Sequence, residues 1–166
     1  KQDYVLYFGR YDKEKGIDSL LAAAKALPQL HFVFAGSGAM AEEIQQLPNA
    51  TDVGFCTGDD LYRRIAAAKC SIYPSVWYEN CPYSVMESIA LGTPVLGTNI
   101  GGIPELIEDG KTGVLLPPGD TKVLGAALCR LDLEPERLAA MTAACRADAF
   151  LSVQDYTDKL LSDYNA

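Results

Sequence analysis

The chain has 166 residues, of which 49% are hydrophobic, and this length suits one domain with a single core. Its 14 basic and 22 acidic side chains give a formal charge of -8, which leaves no broad basic surface for nucleic acid or for an anionic membrane. No apolar run approaches the roughly 18 residues of a membrane span, and five cysteines with one histidine form no metal-binding pattern. We therefore expect a soluble domain with free thiols in a reducing cytoplasm.

Short β-rich segments alternate with helical patterns along the chain. Strands are predicted at 4–8, 30–35, 52–55, 70–74, 94–97 and 113–116. Helices are predicted at 17–27, 41–47, 59–68 with Asp59 as the N-cap, 82–91 and 104–108. From residue 121 the apolar spacing stays helical to the end, with breaks near 134–135 and 151–152.

This alternation predicts an α/β fold. Repeated strand–helix–strand units require parallel strands with right-handed crossovers. We expect a doubly wound, mostly parallel six-stranded Rossmann-like sheet with helices on both faces, and a single domain over 1–166 whose terminal helices span about 120–166. Ligands of such sheets bind outside the carboxyl ends of the strands. The chain opens directly into an apolar strand, so we also expect it to be an excised piece of a longer protein.

Two cations follow the first predicted strand. Arg10 comes directly after Gly9, and Lys15 stands five residues further on. A planar guanidinium and a mobile ammonium suit the oxygens of a diphosphate. An ordinary solvated loop is the alternative, because acids and a lysine alternate between the two cations.

Two glutamates, Glu79 and Glu87, are separated by seven residues across a predicted strand-to-helix junction. Their α-carbons are expected about 10 Å apart, which is too far to share a proton but matches the span of a nucleotide sugar. The free N–H groups of the helix that begins near Pro82 can hold an anion between them. Alternatively, Glu79 is a loop acid and Glu87 faces solvent, although the apolar flanks of Glu87 favour partial burial.

These motifs, in this order, resemble the C-terminal half of a family 4 retaining glycosyltransferase. The motifs are Gly9-Arg10 with Lys15-Gly16-Ile17, Pro74-Ser75, Glu79 to Glu87, Leu91-Gly92-Thr93-Pro94-Val95, Gly101-Gly102-Ile103-Pro104-Glu105 and Thr112-Gly113. The resemblance covers nearly the whole chain. It implies the GT-B architecture, in which two Rossmann-like domains face each other across a cleft, and this chain resembles only the second, donor-binding domain.

The resemblance also implies the activity. A sugar would pass from a nucleotide diphosphate sugar to an acceptor with retention of anomeric configuration, without a metal or another cofactor. The partners would be the nucleotide sugar and the missing N-terminal domain of the same protein, without which this domain is expected to be inactive. Nucleic acid and membrane contacts are not expected in this domain.

Roles for individual residues follow from the resemblance. Arg10 and Lys15 would bind the donor diphosphate and stabilise the departing charge, and Glu79 would contact the transferred sugar beside the reacting centre, so these three are the catalytic candidates. Glu87 would hold the ribose hydroxyls. The other donor-binding candidates are Gly9, Gly36, Cys56, Cys81, Tyr83 and Ser84.

The chain departs from the family pattern after Glu79. Where many family members have Gly-Phe-Gly, this chain has Asn80-Cys81-Pro82. Because Pro82 has no N–H group, the expected anion contacts shift to Cys81, Tyr83 and Ser84.

Several positions have two interpretations. Gly36-Ser37-Gly38 would let the backbone approach the ligand or is an ordinary tight turn. Phe55-Cys56-Thr57 follows the third predicted strand, where the resemblance would place the nucleobase. The aromatic pair Trp77 and Tyr78 would line the cleft or belong to the core.

Two other functions stay open. A nucleotide-sugar epimerase of the same architecture would bind the same ligand, but it needs further acid and base groups that are not evident in the sequence. A non-catalytic nucleotide-sugar-binding module would explain the sheet without a reaction. The base, the sugar and the acceptor are not specified by the sequence.

Overall fold

The computed structural model describes residues 1–147, 150 and 153–164. The strands are β1 (Val5–Arg10), β2 (Phe32–Ser37), β3 (Ala50–Asp52), β4 (Cys70–Tyr73), β5 (Val95–Thr98) and β6 (Gly113–Leu116). They form a six-stranded sheet in the order β3-β2-β1-β4-β5-β6, and every neighbouring pair is parallel. The chain winds outward from β1 in one direction and from β4 in the other, so the predicted doubly wound sheet is confirmed.

The described helices connect these strands and follow the last one. They are α1 (Ile17–Ala26), α2 (Ala41–Gln45), α3 (Gly58–Ala67), α4 (Tyr83–Ala90), α5 (Ile103–Leu106), α6 (Thr121–Leu133), α7 (Pro135–Ala147) and α8 (Val153–Tyr164). The predicted break near 134–135 is confirmed, whereas the one near 151–152 lies outside the described residues. None of the described helices combines the length and the apolar character needed to cross a membrane.

Most elements begin or end a few residues from the predicted positions, and three of these differences bear on the candidate site. Strand β3 lies at Ala50–Asp52, not at 52–55, because these three residues pair with β2 and the chain then turns at Gly54, whose φ is +70°. Helix α3 has Thr57 as its N-cap, so Asp59 is not the cap but lies in the first turn, where the helix dipole favours an acid. Helix α4 begins at Tyr83 with Pro82 as its N-cap.

Apolar side chains cover both faces of the central strands. In β1, Val5 and Tyr7 belong to the core beneath α1 and α6, whereas Leu6 and Phe8 belong to the core that includes Ile65 of α3. A strand with helices on both faces is buried on both sides, which explains the continuous apolar runs. The sheet therefore presents polar groups mainly at its ends.

A close contact joins the loops that follow β1 and β4. Gly16 has a φ of +72°, and a Cβ atom there would lie 1.9 Å from the carbonyl oxygen of Pro74. Only glycine fits this approach, because any other side chain would collide with fixed backbone. The contact places the residues before Gly16 beside those after Pro74.

We expect Gly16→Ala to be far more destabilising than Gly54→Ala, although both glycines have nearly the same left-handed backbone, with φ of +72° and +70°. A Cβ at Gly54 meets nothing within 4 Å. Backbone strain alone should cost about 1 kcal/mol, whereas Gly16→Ala adds the clash and should cost about 3 kcal/mol or more. Urea unfolding of both variants measures the difference, and equal losses would contradict the contact.

Candidate functional site

A mostly buried ion pair lies at the carboxyl end of the sheet. Lys15 ends a single helical turn after β1, and its Nζ lies 2.5 Å from Oε1 of Glu79, which follows β4. The two side chains are only 18% and 14% exposed. The ammonium also lies 3.4 Å from the hydroxyl of Tyr73 and 5.8 Å from the centre of its ring. The solvated-loop interpretation is therefore wrong for Lys15.

Lys15 keeps its charge in this environment. Burial by itself would lower the pKa of the ammonium, but the hydrogen bond to Glu79 and the nearby Tyr73 hydroxyl outweigh burial, and the pKa is raised above its usual value. The site thus holds a fixed cation on a domain whose net charge is negative. An ammonium has three N–H donors, so Lys15 can still donate to an anion while it holds Glu79 and Tyr73.

The backbone of Glu79 is fixed by the loop after β5. The N–H of Gly102 donates to the carbonyl of Glu79 at 2.7 Å. A Cβ on Gly102 would lie 1.9 Å from the carbonyl oxygen of Asn80, and one on Gly101 would lie 2.5 Å from that of Glu79. The Gly101-Gly102 pair is therefore required for this close approach.

Arg10 is the last residue of β1 and lies at the same edge of the sheet. Its Nη1 lies 2.9 Å from a carboxylate oxygen of Asp12, and its side chain is 67% exposed. An exposed pair of this kind is weak. The guanidinium can therefore turn to another anion at little cost.

Glu87 lies within α4 and is partly buried, so the solvent-facing interpretation is wrong. Burial raises the pKa of its carboxyl. Within the described residues, no hydrogen-bond donor and no cation pairs with this carboxylate. A partly buried acceptor without a partner is costly unless a ligand supplies one.

Free N–H groups lie between the two glutamates. The N–H groups of Cys81, Tyr83 and Ser84 have no acceptor in the described part of the chain, and α4 begins here without a capping side chain. Cys81 is exposed, Tyr83 is 75% exposed and Ser84 is partly buried. These three residues are the ones predicted to contact the anion, because Pro82 has no N–H group.

The remaining candidates, Gly9, Gly36 and Cys56, make no contact with the ion pair among the hydrogen bonds and ion pairs of the described residues. Gly36 is a buried residue inside β2, which continues two residues beyond its predicted end, and a Cβ there would lie 1.9 Å from the carbonyl oxygen of Gly9. Its missing side chain thus serves the contact between β1 and β2, and its ligand contact stays a prediction. Gly9 is exposed.

Cys56 follows β3, and its neighbour Phe55 is 75% exposed. The thiol of Cys56 lies 3.6 Å from the carbonyl oxygen of Gly54, and burial, followed by the hydrogen bond to Asp60, raises its pKa. The thiol is therefore held between its own loop and the first turn of α3. A nucleobase contact here stays a prediction.

Two features of the site were missed in the sequence. Ser75 donates to the Glu79 carboxylate at 3.0 Å, and Tyr73 contacts Lys15. Ser75 belongs to the Pro74-Ser75 motif, but the sequence predicts no role for it, because one serine gives no signal by itself. The core interpretation of Trp77 and Tyr78 is wrong, since they are 58% and 78% exposed.

No group of three or more histidine, cysteine, aspartate or glutamate side chains with metal-binding geometry occurs among the residues that the structure describes.

Comparison with known sequences gives consistent matches. The sequence model of the family described as "Glycosyl transferases group 1" matches residues 2–132. The alpha-D-kanosaminyltransferase of Streptomyces kanamyceticus is 31% identical over 143 residues, which are 80% of this chain and 37% of that protein. The GDP-mannose-dependent alpha-mannosyltransferase of Corynebacterium glutamicum is 30% identical over 152 residues, which are 91% of this chain and 35% of that protein. The chain spans little more than a third of these relatives.

Comparison with solved structures gives the same fold. The crystal structure of HepE from Anabaena in complex with UDP aligns with a TM-score of 0.78 at 23% identity, over 87% of this chain and 43% of that chain. The architecture implied by the family resemblance is thus confirmed for the part of it that this chain represents.

We expect Lys15→Met to lower the free energy of unfolding by about 3 kcal/mol, because it leaves the mostly buried Glu79 carboxylate without its cation. The double variant Lys15→Met/Glu79→Gln should recover much of this loss. Chemical denaturation measures all three proteins.

The exposed pair of Arg130 and Glu134, with side chains 66% and 39% exposed, provides the control. Arg130→Met should change the free energy of unfolding by no more than about 0.5 kcal/mol. A Lys15→Met loss as small as the control would mean that the ion pair contributes little in solution.

Proposed function

Because the chain belongs to the group 1 glycosyl transferases, we propose that it is the part of such an enzyme that binds the nucleotide diphosphate sugar. The observation that carries this proposal is the arrangement around the start of α4. Glu79 lies before the free N–H groups and the partly buried, unpaired Glu87 lies after them, with Lys15 held against Glu79. Acceptors on either side of anion-binding donors match a diphosphate with a sugar at each end.

The diphosphate is the best supported part of the ligand. Arg10, Lys15 and the N–H groups at the start of α4 are positive groups at this edge of the sheet, and helix N-termini favour phosphate. One relative is named for its dependence on GDP-mannose, and the HepE structure contains UDP. These two ligands share the diphosphate and differ in the base. We therefore propose a nucleoside diphosphate site and leave the base open.

The two glutamates would bind hydroxyl groups. An ionised carboxylate accepts hydrogen bonds, and sugar hydroxyls donate them. We assign the ribose hydroxyls to Glu87, which has an open carboxylate, and the transferred sugar to Glu79, which lies beside Lys15. Gly9, Gly36 and Cys56 are proposed as further contacts with the nucleotide.

The proposed reaction is glycosyl transfer with retention. The bond between the anomeric carbon and the diphosphate oxygen breaks, and the acceptor oxygen forms the new bond from the same side. The departing phosphate takes the proton of the acceptor hydroxyl. Arg10 and Lys15 would stabilise the charge that grows on the phosphate as the bond breaks, without a metal ion.

The acceptor side belongs to the rest of the protein in this proposal. The matched relatives are nearly three times as long as the segment they share with this chain. We propose that a preceding Rossmann-like domain supplies the acceptor face, that the whole protein works in the cytoplasm, and that the chain alone binds donor without turnover. Nothing in the structure or the comparisons favours the epimerase alternative.

We expect Lys15→Ala and Arg10→Ala each to weaken the binding of UDP or GDP to this chain by about tenfold, because each removes a charged donor to the diphosphate. Isothermal titration calorimetry measures the affinities, and circular dichroism confirms that each variant is folded at the temperature used.

Lys25→Ala, at the end of α1, is the matched control and should bind like the wild type. Unchanged affinity in both edge variants would exclude this diphosphate site. A full-length enzyme that binds nucleotide sugar but does not turn it over would favour the non-catalytic module.

We expect Glu87→Gln to have opposite effects on binding and stability. It should weaken UDP or GDP binding by about fivefold to tenfold at neutral pH, because an ionised acceptor is lost. It should raise the melting temperature slightly. Burial raises the pKa of Glu87 in the folded chain, so its ionisation opposes folding above the unfolded pKa, and removing the charge relieves that cost.

The pH dependence gives an independent check. Wild-type affinity should decline as the pH falls through the raised pKa of Glu87, and this part of the profile should be absent in Glu87→Gln. Glu43→Gln, an exposed position in α2, should change neither the affinity nor the melting temperature. If Glu87→Gln lowers the melting temperature and leaves the affinity unchanged, Glu87 stabilises the fold and does not bind the ribose hydroxyls.

A further inference from the structure

A buried serine lies directly beneath the Glu79 carboxylate. Ser75 is 1% exposed and follows β4 by two residues. Its Oγ lies 3.0 Å from Oε1 of Glu79 and 3.1 Å from the carbonyl oxygen of Glu14, the residue before Lys15. The serine therefore contacts the loops that supply both members of the ion pair.

The single proton of this hydroxyl has one preferred acceptor. The Glu14 carbonyl already accepts the N–H of Val76 at 3.0 Å. The N–H of Trp77 donates to the Ser75 oxygen at 3.3 Å, which occupies a lone pair and leaves the proton available. A carboxylate is a stronger acceptor than a carbonyl that is already bonded, so the proton goes to Glu79.

The main chain of Ser75 is fixed as well. The hydroxyl of Thr98, at the end of β5, donates to the carbonyl of Ser75 at 2.6 Å, and Thr98 is itself buried. Ser75 thus belongs to the rigid end of the sheet. A donor on a rigid element can hold a ligand-binding side chain in one orientation.

Ser75 and Lys15 both bond to the same oxygen of Glu79, Oε1. Oε2 has no hydrogen-bond partner within the described residues, and every buried side-chain nitrogen or oxygen there has one, so Oε2 is accessible. The carboxylate therefore has one oxygen held by the protein and one oxygen open to a ligand.

We infer that Ser75 is a positioning residue, which together with Lys15 holds Oε1 of Glu79 and so directs Oε2 toward a hydroxyl of the transferred sugar. This inference rests on the proposed function. It predicts that the contribution of Ser75 to binding is specific for the sugar half of the donor, since the diphosphate and the nucleoside do not contact Oε2.

The test compares sugar-containing and sugar-free ligands. UDP-glucose, UDP, GDP-mannose and GDP are titrated calorimetrically into the wild-type chain, Ser75→Ala and Glu79→Gln. We expect Ser75→Ala to lower the affinity for the nucleotide sugar that the wild type binds by about threefold to tenfold. The affinity for the nucleoside diphosphate with the same base should change by less than about twofold. Glu79→Gln should lower the affinity for the same nucleotide sugar by at least as much.

Two further variants separate positioning from general stability. Ser71→Ala removes a similarly buried serine hydroxyl from β4, the strand that precedes Ser75, where Ser71 bonds to Ser88, and should leave both affinities unchanged. Ser75→Thr keeps the hydroxyl and should restore sugar-specific binding. If Ser75→Ala does not fold, Ser75→Cys replaces it, because the thiol keeps the volume but is a weak donor.

Failure of the proposed function and failure of the role of Ser75 give different titration results. A wild-type chain that binds none of the four ligands contradicts the proposed function itself. Two other outcomes overturn the role of Ser75 alone. In the first, the affinity for the nucleotide sugar falls in Glu79→Gln but not in Ser75→Ala. In the second, Ser75→Ala lowers the affinities for the nucleotide sugar and for the diphosphate together.

Discussion

The contact between the loops after β1 and β4 is the constraint on which the candidate site depends. These strands are neighbours in the sheet and lie at the point where the strand order reverses, so their following helices leave toward opposite faces. Gly16 packs against the Pro74 carbonyl, and this approach places Lys15 beside Glu79, which is 64 residues away in the chain. A parallel sheet with right-handed crossovers produces this proximity without any local sequence signal.

The electrostatics of this edge serve binding better than stability. A mostly buried ion pair gains little over a well-packed apolar pair, because desolvation offsets the attraction. Glu87 adds an acceptor whose ionisation opposes folding. In the part of the chain that the structure describes, every other buried side-chain nitrogen or oxygen has a hydrogen-bond partner. Groups that lower stability in one place there indicate a ligand that compensates them, and these groups surround free N–H groups at a helix start. The physical argument and the family membership therefore point to the same edge of the sheet.

The elements of the fold could be predicted from the sequence because apolar periodicity is a local property. The third strand was misplaced because only Ala50–Asp52 pairs with β2, and three residues are too few to show an alternation. The site was predicted as a set of residues but not as a set of contacts. The pairing of Lys15 with Glu79 depends on tertiary proximity, and the role of Ser75 depends on which oxygen each donor reaches. Neither can be read from residue types and spacing.

The polar groups at this edge divide into those that the protein satisfies and those that it leaves open. The fixed groups are the Ser75 hydroxyl, the Lys15 ammonium and Oε1 of Glu79, and they bond to one another. The open groups run from Oε2 of Glu79 through the N–H groups at the start of α4 to the Glu87 carboxylate, which gives the order acceptor, donors, acceptor. A hydroxyl, an anion and a hydroxyl form the complementary order, and a nucleotide diphosphate sugar has that order along its length. A protein that used these groups only for its own stability would have paired them internally, so their separation into two sets is the structural argument for a ligand of this chemical class.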